Sequence, residues 1–355
     1  MSPTTIAAWR LLGQRIGAAR FEKPEDVVRW MGALQAQDYG QALWAVGLRM
    51  RTATVVDIEQ AIADRTIIRT WPMRGTIHFV PAEDAKWMLQ LGAARRLATD
   101  GHRMAQLELD AAIMGRCGQL CYDALHSGRQ LSRPELLQLL EQAGISTSGQ
   151  RGYHILWYLA QSGLICLGPM QGKQQTFVLL DEWAPHAREL PRAEALAELA
   201  RRYFASHAPA TLHDFAWWSG LTVGDARAGL EAAKPGLIAE KLNEVEYWMP
   251  SVALGETPDP SGVHLLPSFD EYLLGYRDRS AVLAAEHAQK VVPGSNGMFQ
   301  PIIVVDGQVV GIWKRVVKKS AVAITFHPFA QFDSADERVT AASERYSAFL
   351  GLPLA

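Results

Sequence analysis

Three cysteines in 355 residues, Cys117, Cys121 and Cys166, are too few and odd in number for a disulfide framework. No apolar run is long enough to span a bilayer, and residues 1–10 lack the hydrophobic stretch of an export signal. A cytoplasmic protein without a membrane partner is therefore expected. Charge of one sign is also missing. Thirty-five Lys and Arg stand against 37 Asp and Glu, a net charge of −2. That excludes a protein that coats nucleic acid through a uniformly basic surface, but not one with a local basic groove. The chain has no glycine-rich phosphate loop and no nucleophilic serine elbow. Cys117 and Cys121, four apart on a predicted helix, would make half a metal site at most. No His/Asp set with zinc spacing completes it, so no metal or other cofactor is expected and packed thiols are the simpler reading.

What the chain has is eleven tryptophans scattered along its length, which points to several compact cores rather than one. Its length allows two to four units. The first third reads as four helices and a hairpin. A helix is predicted over Thr5–Ile16. A second starts at Pro24, with Glu25 and Asp26 favouring its N-terminus, and ends near two glutamines. Thr54 and Asp57 form a capping box for the helix that follows. Ile67–Trp71 and Thr76–Val80 then flank a Pro72–Gly75 turn.

The same order returns twice. A helix over 107–127, the capping box Ser132–Glu135, a helix over Gln150–Ser162 and a hairpin around Gly168–Gly172 make the second pass. Helices to about Ser206, over Thr211–Trp218 and over Thr222–Ala233, with a hairpin around Asn243, make the third. After a Pro258–Gly262 linker the chain turns β-rich. Pro301–Val305 meets Gln308–Trp313 across Asp306-Gly307, Val316–Phe326 adds a strand, and Ala335–Leu350 closes with a helix. Helices followed by a hairpin is the winged-helix order. The expected division is 1–105, 106–185 and 186–257 for three such units and 258–355 for a β-barrel-like unit, an α+β fold that is mainly α.

Several residues could carry chemistry. Gln35-Ala36-Gln37-Asp38 places two amides and a carboxylate where an apolar helix ends. Glutamine cannot act as an acid or base, but its paired donor and acceptor can hold a water or a sugar oxygen. Capping of backbone groups is the plainer use of such amides, and Asp38 is the nearest carboxylate that could act as a base instead. On the first hairpin, Arg74 could meet phosphate and His78 could support the glutamine site. Equally, Gly75 turns the hairpin and His78 is a satisfied semi-buried histidine. Basic residues cluster at Arg65/Arg69/Arg74 and Lys314/Arg315/Lys318/Lys319, each compatible with a solvated face. Asp270 and Glu271 read as members of an ion-pair network, although paired carboxylates near aromatics also occur in glycoside hydrolases. Trp217 and Trp218 after His213-Asp214 would suit base stacking, yet such tryptophans are usually core.

Three segments together resemble the AlkZ/YcaQ-like family of winged-helix DNA glycosylases. They are Leu34–Asp38 with Trp71–Asp84, Leu266–Arg279, and Asn296–Phe299 through Asp306–Trp313. The resemblance implies a C-shaped protein of three tandem winged-helix units and a β-barrel, needing no cofactor. It implies excision of alkylated purines, chiefly N7-alkylguanine and its bulky or crosslinked forms, from double-stranded DNA, in repair or self-resistance. Gln35 and Gln37 match the family's Gln-apolar-Gln motif and become the catalytic pair, with Gln37 where YcaQ-like members have aspartate. Asp38 and His78 become supporting residues, and Arg69, Arg74, Lys314 and Arg315 DNA contacts. Three winged helices in one chain can clamp DNA as a monomer. The alternative is a non-catalytic winged-helix DNA-binding protein or regulator, which would usually read its operator as a dimer.

Overall fold

The computed structural model describes residues 2–17, 20–251, 258–295, 297–329 and 332–355. Asn296, part of the third family-like segment, lies outside the described residues, as do Met1 and the 252–257 stretch at the expected third boundary. The chain folds as two compact units, residues 1–58 with 196–355, and residues 59–195.

Helix α1 (Pro3–Gly13) opens at Ser2, whose hydroxyl accepts from the Thr5 amide at 3.1 Å. Helix α2 (Pro24–Met31) carries Pro24 in its first turn, as the sequence predicts, and stops at Gly32 with φ of 77°. The chain then extends through β1 (Leu34–Gln35) before α3 (Tyr39–Gly47), which Asp38 caps. The glutamines therefore lie in an extended joint between two helices, not on a helix end. Helix α4 (Val55–Ala63) follows, with Thr54 and Asp57 bonded reciprocally.

In the 59–195 unit, β2 (Ile67–Met73) and β3 (Thr76–Pro81) make the expected first hairpin. Its register slips between Thr70 and Met73, where Pro72 has no N–H to give to a ladder. Arg74 and Gly75 both take positive φ at the tip. No element was expected over residues 85–106, yet α5 (Ala85–Gln106) is 22 residues long. Beyond Leu91 only Met104 of this helix is buried, so its second half carries almost no apolar period to read. Then come α6 (Ala111–Leu125), β4 (Leu131–Ser132), α7 (Arg133–Gln142), α8 (Arg151–Gln161), β5 (Ile165–Gln171), β6 (Gln174–Leu179) and α9 (Leu180–Trp183). Strands within the unit lie antiparallel in the order β3-β2-β5-β6-β4. Leu125, Leu136, Leu140, Ile155 and Ile165 fill the core beside Cys117 and Cys121. Burial raises both thiols, Cys121 to about 12, so they sit there protonated as packing groups.

The other unit resumes within α10 (Arg192–Ser206) and continues with α11 (Leu212–Ser219), α12 (Val223–Ala233) and the hairpin β7 (Leu237–Leu242) and β8 (Val245–Pro250). Its last part holds β9 (Val263–Leu266), α13 (Glu271–Leu274), α14 (Ala288–Val291), β10 (Ile302–Val305), β11 (Gln308–Val317), β12 (Val322–Pro328) and α15 (Glu337–Leu350). The strand expected over Val316–Phe326 straddles a hairpin instead: β11 ends at Val317, Lys318-Lys319-Ser320 turns in solvent, and β12 returns antiparallel from Val322. The expected barrel is likewise an open antiparallel sheet in the order β12-β11-β10-β9. Four strands are too few to close around a filled interior, and α15 packs along edge strand β9 instead.

Candidate functional site

The Gln35–Asp38 joint is held from both sides. Its backbone is anchored on α13, where the buried Glu271 accepts from the Gln35 amide at 3.3 Å. Glu271 also accepts from Trp218 Nε1 at 2.8 Å, and His207 Nε2 stands 3.5 Å away. Burial lowers the His207 pKa, against the pull of Glu271, so the ring is neutral at physiological pH. On the other side Asp38 accepts from the Gln41 amide at 3.2 Å, and Gln41 Oε1 accepts from the Ser268 amide at 3.2 Å. Helix α3 is fixed in turn by Trp44, whose Nε1 donates to the Leu265 carbonyl at 2.7 Å while its ring meets Tyr346 and Phe349 at about 5 Å.

The result is a buried Gln35 and, two residues on, an exposed Gln37 beside an exposed Asp38. Ala36 between the two glutamines fills the core, and Gln37 stands at the bend that leads from β1 into α3. Arg315 reaches the same joint. Its Nη2 is 3.3 Å from where a Cβ on Gly40 would lie, and its Nη1 is buried without a hydrogen-bond partner. Its guanidinium also faces the Tyr346 ring at 5.8 Å. Lys314, one position earlier on β11, is exposed and turned to the opposite face.

The remaining sequence candidates belong to the 59–195 unit. His78 is fully buried. Arg74 Nη2 lies 3.1 Å from its Nε2, and a guanidinium can only donate, so the proton sits on Nδ1 and is given to the Thr76 carbonyl at 2.9 Å. Burial first and Arg74 second hold the His78 pKa well below its ordinary value. This imidazole is neutral. Arg69 is buried and donates to Gln175 Oε1 across to the second hairpin.

Sequence reasoning missed the partners beneath the joint. Asp270 was expected in an ion-pair network, but its partner Arg49 was not singled out. The two are fully buried and doubly bonded, both contacts at 2.9 Å. Arg49 further donates to Gln14 Oε1 at 2.9 Å and to the Ala45 carbonyl at 2.8 Å. The signal was there: an arginine set in the apolar run Ala45-Val46-Gly47-Leu48-Arg49-Met50 is costly unless paired. His207 gave no such signal, and Trp218, read as a core tryptophan and buried as such, gave none that tied it to Gln35.

Residues 28–349 match the family described as DNA glycosylase AlkZ-like. The interstrand DNA cross-link repair glycosylase of Streptomyces sahachiroi is 26% identical over 338 residues, covering 88% of this chain and 87% of that protein. The solved structure of Streptomyces sahachiroi DNA glycosylase AlkZ has the same fold, with a TM-score of 0.82 at 24% identity over 100% of this chain and 99% of that one. A match spanning nearly the whole chain, around a rigidly held Gln-Ala-Gln joint, leaves one conclusion: the chain belongs to the AlkZ-like family of DNA glycosylases.

Proposed function

We propose that this protein is a monofunctional glycosylase that hydrolyses the N-glycosidic bond of alkylated purines in duplex DNA. N7-alkylguanine is the substrate class, bulky and crosslinked adducts included, and the name of the Streptomyces relative supports the crosslinked forms. Alkylation at N7 gives guanine a positive charge, so the base departs without a strong acid. The enzyme then needs an oriented water and an environment that tolerates an oxocarbenium-like sugar. Gln37 orients the water, accepting one hydrogen bond and donating another. Gln35 holds Gln37 or a DNA oxygen. An amide costs less to hold partly buried than a carboxylate. Asp38 has one oxygen engaged at the α3 N-terminus, which makes it a support of the joint before it is a base.

The observation that carries this reading is the exposed Gln37 on a backbone fixed two residues earlier by Glu271 and one residue later by the Asp38 cap. We also read the three helix-and-hairpin passes as winged-helix units acting on DNA in one monomeric chain in the cytoplasm. Arg74, Arg69, Lys314 and Arg315 are the proposed DNA contacts. Arg69 must leave Gln175 to take up that role.

Release of 7-methylguanine from alkylated duplex DNA by the purified protein, under single-turnover conditions, tests the reading. Gln37→Ala is expected to lose about 1–4 kcal/mol of transition-state stabilisation, the scale for one positioned polar group. Unchanged release by the variant would remove Gln37 from the mechanism. No release by the wild type from simple or bulky N7 adducts would remove the substrate class.

A further inference from the structure

Helix α3 ends against a recess of about 330 Å³ that has no part in the Gln37 joint. Trp44 and Leu48 line it from the helix side, and Arg20, His264, Arg338 and Arg345 stand around it. Among the described residues no carboxylate lines it. At 1.5 Å per residue, Trp44 and Leu48 lie roughly 8 and 13 Å along the helix from Tyr39, where α3 begins after the joint.

The four basic side chains are not equivalent. Arg345 donates to the carbonyls of Leu48 at 2.6 Å and Met50 at 2.9 Å, and so closes the C-terminus of α3. Arg338 is half exposed and spans Asp306 and Asp336, at 3.0 and 2.8 Å. Arg20 differs: its Nε is buried and makes no hydrogen bond among the described residues. His264 is only 8% exposed. Burial pushes the His264 ring down to about 4; Arg20 and Arg345 push the same way and Asp306 alone opposes them. Burial and Arg20 likewise bring Arg345 down to about 9. Desolvated cations that repel one another around an open volume are costly until an anion enters.

We infer that this recess is a second binding site, for a phosphate-type oxyanion, with Arg20 as its principal ligand, His264 beneath and Arg338 at the rim. A bound oxyanion offsets the positive local field, so His264 takes up a proton as the ligand enters. Two sources share this chemistry, a small free phosphate and a phosphate of the DNA strand. The depth of His264 favours the small one.

Equilibrium dialysis of the full chain with inorganic phosphate at pH 6.5, at constant ionic strength, tests it. Saturable binding is expected, weakened at least tenfold by Arg20→Met. His264→Gln is expected to bind more weakly and to lose the proton uptake seen when wild-type binding is followed in weakly buffered solution. Both positions lie away from Gln35 and Gln37, and a thermal melt without phosphate verifies that each variant is folded. Undamaged duplex then separates the sources. A salt slope reduced by about 1 in Arg20→Met, with phosphate competing, assigns the site to the strand. Unchanged duplex binding with phosphate binding lost assigns it to the free anion. Absence of phosphate binding by the folded wild type, or equal binding by folded Arg20→Met, overturns the inference.

Discussion

The two units differ in how their buried polar groups are connected. The 59–195 unit closes on leucine, isoleucine, methionine and two thiols, and its buried polar groups pair locally, His78 with Arg74 and Asp84 with Trp87 and Arg188. The unit that carries Gln35 and Gln37 closes on a polar chain as well: Gln14, Arg49 and Asp270 in one run, Glu271, Trp218 and His207 in another. Capping boxes show the contrast in one motif. Ser132 and Glu135 form theirs with Glu135 at the surface. Thr211 and Asp214 form the same box, but Asp214 is 1% exposed. It also accepts from the amides of Arg277 and Asp278, at 2.9 and 3.2 Å. Apolar packing tolerates small shifts of volume; a buried charge network admits few arrangements. The polar unit is the one that carries the proposed catalytic joint, and it uses the more demanding material.

The largest expected effect breaks that network. Asp270→Ala leaves Arg49 buried and unpaired and should cost about 3–5 kcal/mol in denaturant unfolding, beyond the loss of a few contacts. Leu140→Ala, in the apolar core of the other unit, should cost about 2–5 kcal/mol through its cavity. Activity tells them apart. At temperatures where both are folded, Leu140→Ala should leave single-turnover base release near wild type, while Asp270→Ala slows it, because Asp270 adjoins the Glu271 that anchors Gln35. Equal loss in both variants would mean the polar network has no special hold on the joint.

Much of the local fold was readable in the sequence. The Thr54–Asp57 and Ser132–Glu135 capping boxes, all three hairpins and the Asp306-Gly307 turn depend on local chemistry, and local chemistry is written in adjacent residues; the Thr211–Asp214 box was read only as the start of a helix. The Gln-Ala-Gln joint was legible as a motif but not in its placement at a helix end, since Gly32 stops α2 three residues ahead of Gln35. Helix α5 was missed because a mostly exposed helix has no apolar stripe. Glu271 beneath Gln35 was not readable at all. Their contact spans 236 residues, and nothing in either neighbourhood names the other. The supposed barrel failed on closure, a property of the whole sheet that no single strand encodes.

Acid should find the polar unit next. His264 is held down to about 4 in the fold against about 6.5 unfolded, and His207 is also lowered. Between those values the unfolded chain binds more protons, so stability rises with pH and is lost as pH falls below 6.5. For His264 alone the loss between pH 7 and pH 5 is about 2 kcal/mol. His78 adds a loss of the same sign in the 59–195 unit. Denaturant midpoints at the two pH values, with and without His264→Gln, measure the difference. A midpoint equally acid-sensitive in that variant would mean that His264 is not the group responsible.

The smallest effect bears on the paired capping boxes. Ser132→Ala removes a hydroxyl that accepts from the Glu135 amide and should cost about 1 kcal/mol. Thr211→Ala removes the equivalent hydroxyl at α11, where the amide of Asp214 is bonded at 3.1 Å. If the units differ only in where their carboxylates are buried, the two alanine variants should agree to within about 0.5 kcal/mol. Asp214 keeps its bonds to the Thr211, Arg277 and Asp278 amides either way. A cost for Thr211→Ala twice that of Ser132→Ala or more would show something stronger. The buried carboxylate would then be drawing on the hydroxyl cooperatively, so that even the cap of α11 belongs to the network that holds the glutamines.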